Sequence, residues 1–374
     1  MQYRKLGNTG ILVSALGFGC MRLPTEGGHV REDYSIKMLR RAYELGVNYF
    51  DTAEGYCGSE SQIVLGKAVK EMDRDKVHVS TKNGYKGDSG SEWRKRLETS
   101  LSRLDVDYID VYHSHSLSWH AFQTGFGVKG GPLDEAQKAE EEGLIRHLAF
   151  STHDSPENII KLIDTGAFAS MTVQYNLLNR ANEEPIAIAH EKGMGVSIMG
   201  TVAGGRLAQP NEDIQKLRAG IAKSSAEIAV RFVLSNPGVS TALSGMNSIE
   251  QVEENVATAS RTEPLTPAEK IQVLESMEEN KRLADLYCTG CAYCMPCPNG
   301  VDIPTNFLYM NYYRVYGLRG YARQQYAALK EKGLEGMDVP SWADACMECG
   351  ECEPKCPQEI PIIKQLKETH AALV

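Results

Sequence analysis

The sequence predicts an α/β protein in which a (β/α)8 barrel is followed by a smaller, mainly helical domain. Up to about residue 260, short β-branched apolar runs alternate with amphipathic helical stretches, and there are eight of each. Several apolar runs end abruptly in polar residues, as strands do at the C-terminal rim of a barrel. Eight of the ten cysteines lie in two groups near the C-terminus, beyond this repeat.

The composition limits the possible classes of function. The chain has 374 residues, with 40 Lys and Arg against 49 Asp and Glu, and a net charge of -9. This charge, together with the lack of a basic run, argues against a nucleic-acid-binding surface. The N-terminal apolar stretch is too short for a membrane span and is unlike a signal peptide. We therefore expect a cytoplasmic protein that does not associate with a membrane.

The barrel prediction depends on each strand and helix in turn. The candidate strands are Leu12–Gly17, Val47–Asp51, Val77–Lys82, Tyr108–Tyr112, His147–Ser151, Met171–Tyr175, Gly195–Met199 and Val239–Ser244. The candidate helices are Asp33–Leu45, Ser59–Glu71, Trp93–Leu104, Pro132–Glu142, Pro156–Asp164, Glu184–Lys192, Ser224–Leu234 and Ile249–Ala259. Glycines at 46, 143, 166 and 193 follow four of these helices, as left-handed C-caps do. A doubly wound open sheet is the alternative, but no G-x-G-x-x-G follows the first strand.

Two of the predicted loops on the rim are long. The first, from His113 to Gly131, follows the fourth strand, and the second, from Gly200 to Ile214, follows the seventh. Long loops at this face often carry function. The first contains four large side chains that either pack the loop onto the barrel or line a substrate pocket. These side chains are Trp119, His120, Phe122 and Phe126.

Charged and polar residues at three neighbouring strand ends suggest a proton-transfer site. Asp51 ends the second strand, Lys82 ends the third, and His115 lies three residues beyond the fourth. A buried carboxylate needs a partner, and Lys82 can supply it. Tyr56 follows Asp51 by five residues, and a nearby ammonium lowers the pKa of a phenol and lets it exchange protons near neutral pH. Singly, each residue has a structural explanation; their coincidence on successive strand ends favours catalysis.

The motifs around these residues resemble those of the aldo-keto reductase family over most of residues 1 to 260. They are Tyr3-Arg4-x-Leu6-Gly7-x-Thr9-Gly10, Gly17-Phe18-Gly19, Asp51-Thr52-Ala53-x-x-Tyr56, Gly58-Ser59-Glu60, Leu65-Gly66, Ser80-Thr81-Lys82, Asp110-Val111-Tyr112-x-x-His115, Gln174-Tyr175-Asn176, Ser244-Gly245 and Glu254-Asn255. The resemblance implies NAD(P)H-dependent reduction of an aldehyde or ketone to an alcohol, or the reverse reaction. It implies Tyr56 as general acid and base, Asp51 and Lys82 as the pair that tunes it, and His115 as the residue that orients the carbonyl.

The resemblance also implies a binding site for the dinucleotide. Gly19, Met21 and Asp51 would lie near the nicotinamide, and Ser151 and Gln174 would bind its carboxamide. At the adenosine end it implies Gly245, Gln251, Glu254 and Asn255, and backbone N–H groups near Ser248 would suit a phosphate. The chain departs from the family pattern at Met246-Asn247-Ser248, where there is no cation to clamp a 2'-phosphate. Both NADP and NAD therefore stay open as the cofactor.

The two cysteine groups have the spacing of iron-sulfur ligands. The second group has the C-x2-C-x2-C-x3-C-P spacing of a 4Fe-4S site, and the first is one residue shorter in its last gap. The ligands are predicted to be Cys288, Cys291, Cys294, Cys297, Cys346, Cys349, Cys352 and Cys356. Two such runs suit two cubanes, whereas zinc, the alternative, does not explain the third cysteine of each run or the terminal Cys-Pro. The isolated Cys20 and Cys57 are interpreted as small buried apolar residues.

The C-terminal region resembles helical ferredoxin domains, so we predict a barrel domain over residues 1–282 and an iron-sulfur domain over 283–374. A nicotinamide gives up two electrons together, while an iron-sulfur cluster accepts one at a time. The clusters are therefore either a port to an external acceptor, such as a ferredoxin, a flavoprotein or a quinone-like molecule, or structural staples. A third hypothesis is a nucleotide-sensing regulatory subunit without turnover, which the complete set of four site residues disfavours.

Overall fold

Eight parallel strands close into a barrel in the computed structural model. The structure describes residues 1–85, 87, 89–177, 179–202, 224–261, 265–279, 288, 290–314, 319–331 and 340–374. The strands in chain order are β1 (Tyr3–Lys5), β2 (Leu12–Ser14), β3 (Leu16–Gly19), β4 (Thr25–Glu26), β5 (His29–Val30), β6 (Tyr49–Asp51), β7 (His78–Gly84), β8 (Ile109–His115), β9 (Ile145–Ser151), β10 (Ser170–Gln174), β11 (Gly195–Met199) and β12 (Thr241–Ser244). The barrel runs β3, β6, β7, β8, β9, β10, β11, β12 and closes back on β3, which confirms the predicted fold class.

Two of the predicted strands differ from the structure: the first is two separate strands, and the fourth is longer than predicted. The predicted run Leu12–Gly17 is divided between β2, which pairs antiparallel with β1, and the barrel strand β3. Only Ala15 separates the two, so apolar periodicity does not mark the break. β8 extends to His115, which therefore lies in the strand and not beyond it.

The described helices comprise those that alternate with the barrel strands and those of the C-terminal region. Their bounds are α1 (Glu32–Glu44), α2 (Ser61–Val69), α3 (Gly90–Leu104), α4 (Trp119–Ala121), α5 (Pro132–Glu141), α6 (Pro156–Asp164), α7 (Glu183–Glu191), α8 (Ser225–Leu234), α9 (Ile249–Ala259), α10 (Pro267–Glu279), α11 (Ile303–Arg314), α12 (Arg319–Ala328) and α13 (Ile362–Leu373). The four predicted C-cap glycines all have positive φ, between 67° and 96°. No helix in the described ranges has the length and apolar character needed to cross a membrane.

The N-terminal hairpin of β1 and β2 packs into an apolar cluster with barrel strands. The cluster consists of Leu6, Val13, Tyr49, Val111, Ala149 and Leu243. Gly7, in the turn, has φ 54°, and a Cβ on it would lie 2.3 Å from the backbone nitrogen of Gly195. A side chain at this position is therefore excluded both by backbone conformation and by space.

The chain divides into two compact units. One comprises Met1–Thr201 and Ala229–Thr266 and contains the barrel; the other comprises Val202–Ile228 and Pro267–Val374. The second unit has its own apolar core, in which Phe307 and Met310 of α11, Tyr326 of α12 and Leu366 of α13 are buried. The predicted domain boundary at residue 283 lies outside the described residues.

Candidate active site

The predicted catalytic side chains come from adjacent strands at one end of the barrel. Asp51 is the last residue of β6 and is in register with Ser80 of β7. Lys82 follows in β7, and His115 is the last residue of β8. Because these strands are parallel, their carboxyl ends lie on the same rim, so the fold places three side chains from distant parts of the sequence together.

Asp51 and Lys82 form a buried ion pair. Lys82 Nζ lies 2.5 Å from Asp51 Oδ1 and donates a second hydrogen bond to the Thr52 carbonyl oxygen at 2.7 Å. The other oxygen of Asp51 accepts a hydrogen bond of 2.8 Å from the Ser80 hydroxyl. Both charged residues are at most 3% exposed. A pair this deeply buried keeps its geometry only because each charge has a specific partner.

Tyr56 lies beside this pair and beside His115. Tyr56 begins a short 3-10 turn that ends at Ser59, and the centroid of its ring is 5.1 Å from Lys82 Nζ. The rings of Tyr56 and His115 meet edge to face, with centroids 5.9 Å apart and planes at 83°. The phenol is half-buried. The structure thus brings all four predicted catalytic residues together.

The loop that carries Tyr56 is tied to its surroundings immediately after the phenol. Cys57 has left-handed backbone angles, φ 52° and ψ 49°, which are costly for a residue with a side chain. Its thiol donates to the carbonyl oxygens of Met21 at 3.5 Å and Cys20 at 3.7 Å. Burial raises the pKa of the Cys57 thiol and so favours its protonated, donating form. Cys20 is buried as expected, whereas Cys57 is only half-buried and anchors the loop.

The same loop is held on its other side by charged residues. Glu54 receives a hydrogen bond from Arg96 at 3.2 Å, and its carbonyl oxygen receives one from Arg103 at 3.2 Å. Glu60 accepts from His29 Nδ1 at 2.6 Å and from the backbone of Val30 at 2.7 Å. These bonds restrain the loop on both sides of Tyr56 and so restrict the positions that the phenol can take.

The histidines of the rim are held neutral. Burial, together with the charge of Lys82 and the neighbouring His153, lowers the pKa of His115 to about 3. Burial likewise lowers the pKa of His153 to about 4. At neutral pH the imidazole of His115 is therefore a hydrogen-bonding group without charge.

The interior of the barrel holds two polar residues that the sequence-based site did not include, Ser80 and His113. His113 Nε2 lies 3.0 Å from the Thr172 hydroxyl, and its Nδ1 lies 3.4 Å from Ser80 Oγ. Burial, then the charge of Lys82, lowers the pKa of His113 well below its usual range. Ser80 and His113 precede Lys82 and His115 by two residues in the same strands, so the period of two was a signal that could have found them.

The residues predicted to face the nicotinamide also lie at strand ends. Gly19 ends β3, Ser151 ends β9, and Gln174 ends β10, while Met21 lies in a 3-10 turn directly after β3. The Ser151 hydroxyl accepts from the backbone N–H of Ser116 at 3.1 Å. A Cβ at Gly19 would lie 3.5 Å from the carbonyl oxygen of Ser244, at the end of β12. All four positions therefore lie at the C-terminal end of the barrel.

The residues predicted for the adenosine end lie after β12 and along α9. Gly245 directly follows β12, Gln251 and Glu254 are exposed on α9, and Asn255 is buried. The Asn255 amide donates to the Ser244 hydroxyl at 3.2 Å, which ties α9 to the end of the strand. Because β12 pairs directly with β3, the residues predicted for the adenosine end lie beside β3 on the rim.

The aromatic residues of the loop after β8 pack against one another. Trp119 and Phe122 stack with centroids 5.7 Å apart, Phe126 is fully buried against Tyr85, and Phe122 contacts Phe168. This favours the first of the two expectations, that they fasten the loop to the barrel.

His120 is exposed and lines an open surface pocket of about 640 Å³, to which none of the four predicted catalytic residues contributes. Residues 203–214 of the other long loop lie outside the described residues.

Three cysteines of the first group lie near the last cysteine of the second group. Cys288, Cys291, Cys294 and Cys356 line one small apolar cavity of about 20 Å³. Burial and the neighbouring thiols of Cys288, Cys291 and Cys356 raise the pKa of Cys294 to about 12. Thiols brought together in this way are hard to ionise unless a positively charged metal centre compensates them.

The remaining cysteines form a second neighbourhood. Burial raises the pKa of Cys346, with Cys297 and Cys349 adding to the effect, and burial with Cys346 and Cys297 nearby raises that of Cys352 to about 11. The thiol of Cys349 is exposed and accepts from the Asn299 amide at 3.6 Å. Among the described residues, no three His, Cys, Asp or Glu side chains converge on the position of a single metal ion. A cubane has a different requirement, because each thiolate binds a separate iron atom.

Comparison with known proteins agrees with this geometry. Residues 15–278 match the Aldo/keto reductase family and residues 287–361 match a 4Fe-4S dicluster domain. The chain belongs to the aldo/keto reductase family and carries a C-terminal 4Fe-4S dicluster domain, so it is an oxidoreductase. Three similar proteins illustrate the match.

The first is the L-galactose dehydrogenase of Arabidopsis thaliana, which is 30% identical over 71% of this chain and 90% of its own length. The second is the NADH-specific methylglyoxal reductase of Escherichia coli (strain K12), 27% identical over 67% of this chain and 91% of its own. The solved holo structure of aldo-keto reductase AKR11C1 from Bacillus halodurans has a TM-score of 0.64 and 28% identity, covering 74% of this chain and 96% of that one.

Proposed function

We propose that the protein reduces an aldehyde or ketone to an alcohol, or catalyses the reverse reaction, with NADH or NADPH. The observation that carries this proposal is the position of Tyr56, 5.1 Å from Lys82 Nζ and edge to face with His115. A phenol, an ammonium and a neutral imidazole on one rim are the groups needed to protonate a carbonyl oxygen while its carbon accepts hydride. The dinucleotide, when bound, supplies that hydride.

Each of the four catalytic side chains has a distinct role in this reaction. Tyr56 gives its proton to the carbonyl oxygen in the reductive direction and removes it in the oxidative one. Lys82 stabilises the phenolate left behind, and Asp51 holds the ammonium in place through the 2.5 Å contact. His115 is neutral at physiological pH, so it donates a hydrogen bond to the carbonyl oxygen and orients it without supplying charge.

The dinucleotide is proposed to lie across the rim. Gly19, Met21, Ser151 and Gln174 would hold the nicotinamide end beside Asp51. Gly245, Gln251, Glu254 and Asn255 would hold the adenosine end. The support for this placement is that both groups follow strands of one parallel barrel and that β3 pairs directly with β12.

The enzymatic proposal is tested by turnover of the intact, anaerobically purified protein. Methylglyoxal and L-galactose are suitable probes, because relatives are named for reactions of these compounds. Tyr56→Phe should lower the rate by at least about 100-fold with little effect on dinucleotide binding. Tyr85→Phe, which alters a half-buried tyrosine packed on Phe126, is the matched control and should leave the rate unchanged. Equal rates for wild type and Tyr56→Phe would refute the assignment.

The dicluster domain is proposed to hold two 4Fe-4S clusters with crossed ligation. One would be held by Cys288, Cys291, Cys294 and Cys356. The other would be held by Cys297, Cys346, Cys349 and Cys352. The neighbourhoods of the thiols support these sets, as does the ferredoxin pattern in which the last cysteine of a run serves the other cluster. Thiols used in this way belong in a reducing compartment, which is the ground for proposing a cytoplasmic protein.

We propose that the clusters exchange electrons with an external ferredoxin or flavoprotein. The support is the exposure of Cys349, which brings the second thiol set to the surface of its unit. A redox titration followed by EPR, with and without NADH, tests this role. Signals that appear at physiological potentials would support it. Clusters that cannot be reduced, or whose reduction does not affect turnover, would leave them as structural staples.

A further inference from the structure

The start of α9 has little capacity left to bind an additional anion. The backbone N–H of Asn247 donates to Gln251 Oε1 at 3.0 Å, and that of Gln251 donates to Ser248 Oγ at 3.3 Å. The backbone N–H of Ile249 donates to the hydroxyl of Tyr34 at 3.4 Å. The N-terminus of a helix attracts phosphate through free N–H groups, and those of Ile249 and Gln251 at this terminus, like that of Asn247 just before the N-cap, already have partners within the chain.

The same helix terminus carries a negative charge of its own. Glu250 lies in the first turn of α9 and is exposed. Hydrogen bonds from its own backbone N–H and from the Ser248 hydroxyl lower the pKa of its carboxyl, so it is ionised at neutral pH. The carboxylate therefore occupies the position at which the positive end of the helix dipole would otherwise attract a phosphate.

The other charged residues nearby do not offset the negative charge at the start of α9. Residues 245–256 contain Glu250, Glu253 and Glu254 and no Lys or Arg. Arg41 reaches this helix, but its guanidinium is bonded to Glu253 at 2.7 and 2.9 Å. Arg22 lies on the other side, with its aliphatic carbons 3.3 to 3.5 Å from where a Cβ on Gly245 would stand.

We propose that the protein selects NAD(H) over NADP(H), with Glu250 as the residue that determines this specificity. The inference rests on the proposed function, which places the adenosine end beside Gly245 and α9. A free ribose 2'-hydroxyl can donate to a carboxylate, as it does in other dinucleotide sites. A 2'-phosphate is a dianion without such a donor and is repelled. Arg22 would serve the pyrophosphate, which both dinucleotides share, and so would strengthen both without discriminating.

The test is equilibrium titration of the full-length, anaerobically purified protein with NADH and with NADPH, followed by nicotinamide fluorescence. NADH should bind at least about tenfold more tightly. Glu250→Gln should reduce this ratio several-fold by tightening NADPH binding, and Asn247→Arg should reduce it further. Higher salt should also reduce the ratio in the wild type, because the repulsion is screened.

Two variants serve as controls. Glu253→Gln/Arg41→Met removes a carboxylate one turn further along α9 together with the guanidinium bonded to it, so it frees no cation and should leave the ratio unchanged. Arg22→Met should weaken both dinucleotides equally, and a selective loss of NADPH binding would identify Arg22 as a clamp for the 2'-phosphate and overturn the proposal. Tighter NADPH binding by the wild type, or an unchanged ratio in Glu250→Gln, would also overturn it. If neither NADH nor NADPH binds, the proposed function itself fails. If both bind but with equal affinity, only the inference about Glu250 fails.

Discussion

Replacing Lys82 by Met should separate the stability of the ion pair from its catalytic role. In the folded protein Lys82 Nζ lies 2.5 Å from Asp51 Oδ1 and 2.7 Å from the Thr52 carbonyl oxygen, and both charged residues are at most 3% exposed. Lys82→Met removes the counter-charge and leaves a buried carboxylate that is bonded to the Ser80 hydroxyl. Breaking a buried pair from one side costs about 3–5 kcal/mol, so we expect a loss of unfolding free energy in that range.

A second substitution should reverse most of this loss. In Asp51→Asn/Lys82→Met the buried charge is gone and an amide of similar shape keeps a hydrogen bond with Ser80. Removing both members of a buried pair is often nearly neutral, so the double variant should recover more than half of the lost stability. It should not recover activity, because Tyr56 still lacks the ammonium that stabilises its phenolate.

The assay is urea unfolding of wild type and variants under anaerobic conditions, with carbonyl reduction measured on the same preparations. Two results would refute the reasoning. A Lys82→Met variant as stable as the wild type would show that the pair is not energetically coupled in the barrel. A double variant with wild-type turnover would show that Lys82 has no part in the proton transfer.

Three further predictions concern individual residues. Burial and Lys82 lower the pKa of His115 to about 3, so the unfolded chain, whose histidine has a pKa of about 6.5, binds the proton first as the pH falls. Stability should therefore fall between about pH 6.5 and pH 3, and His115→Asn should reduce the slope of unfolding free energy against pH by about one proton. At Cys57 the backbone is left-handed, with φ 52°, a conformation that costs glycine less than alanine. In urea unfolding, Cys57→Gly should therefore be more stable than Cys57→Ala by about 1 kcal/mol. Both should lower the turnover number equally if the thiol positions the phenol. Cys356→Ser should lower the iron content from about eight to about four atoms per chain, whereas Cys20→Ser should leave it unchanged in the same iron assay.

Much of the barrel could be predicted from the sequence because its strands and helices repeat with different periods. Helix C-caps at Gly46, Gly143, Gly166 and Gly193 were predictable because a left-handed residue is required there, and all four have positive φ. The division of the first apolar run between a hairpin strand and a barrel strand was not predictable. Both halves are mainly apolar in sequence, although Leu12 is exposed in the structure, and the pairing partner is what distinguishes β2 from β3.

The site was predictable where chemistry interrupts an apolar run and unpredictable where it depends on register. Asp51 and Lys82 are conspicuous because a charged residue follows buried ones. Ser80 and His113 are ordinary residues in a strand until the parallel register shows that they share the interior face with Lys82 and His115. The anchoring role of Cys57 depends on a carbonyl more than thirty residues away, which local sequence patterns do not reveal.

The central claim is direct hydride transfer to a carbonyl carbon with Tyr56 as the proton donor, and an isotope experiment tests it most directly. NADH carrying deuterium at the transferring position of C4 is mixed with the protein and methylglyoxal under anaerobic conditions, and the alcohol is examined by mass spectrometry. We predict deuterium on the former carbonyl carbon and a yield at least about 100-fold lower with Tyr56→Phe. An alcohol without deuterium, or an equal yield from the Tyr56→Phe variant, would contradict the account.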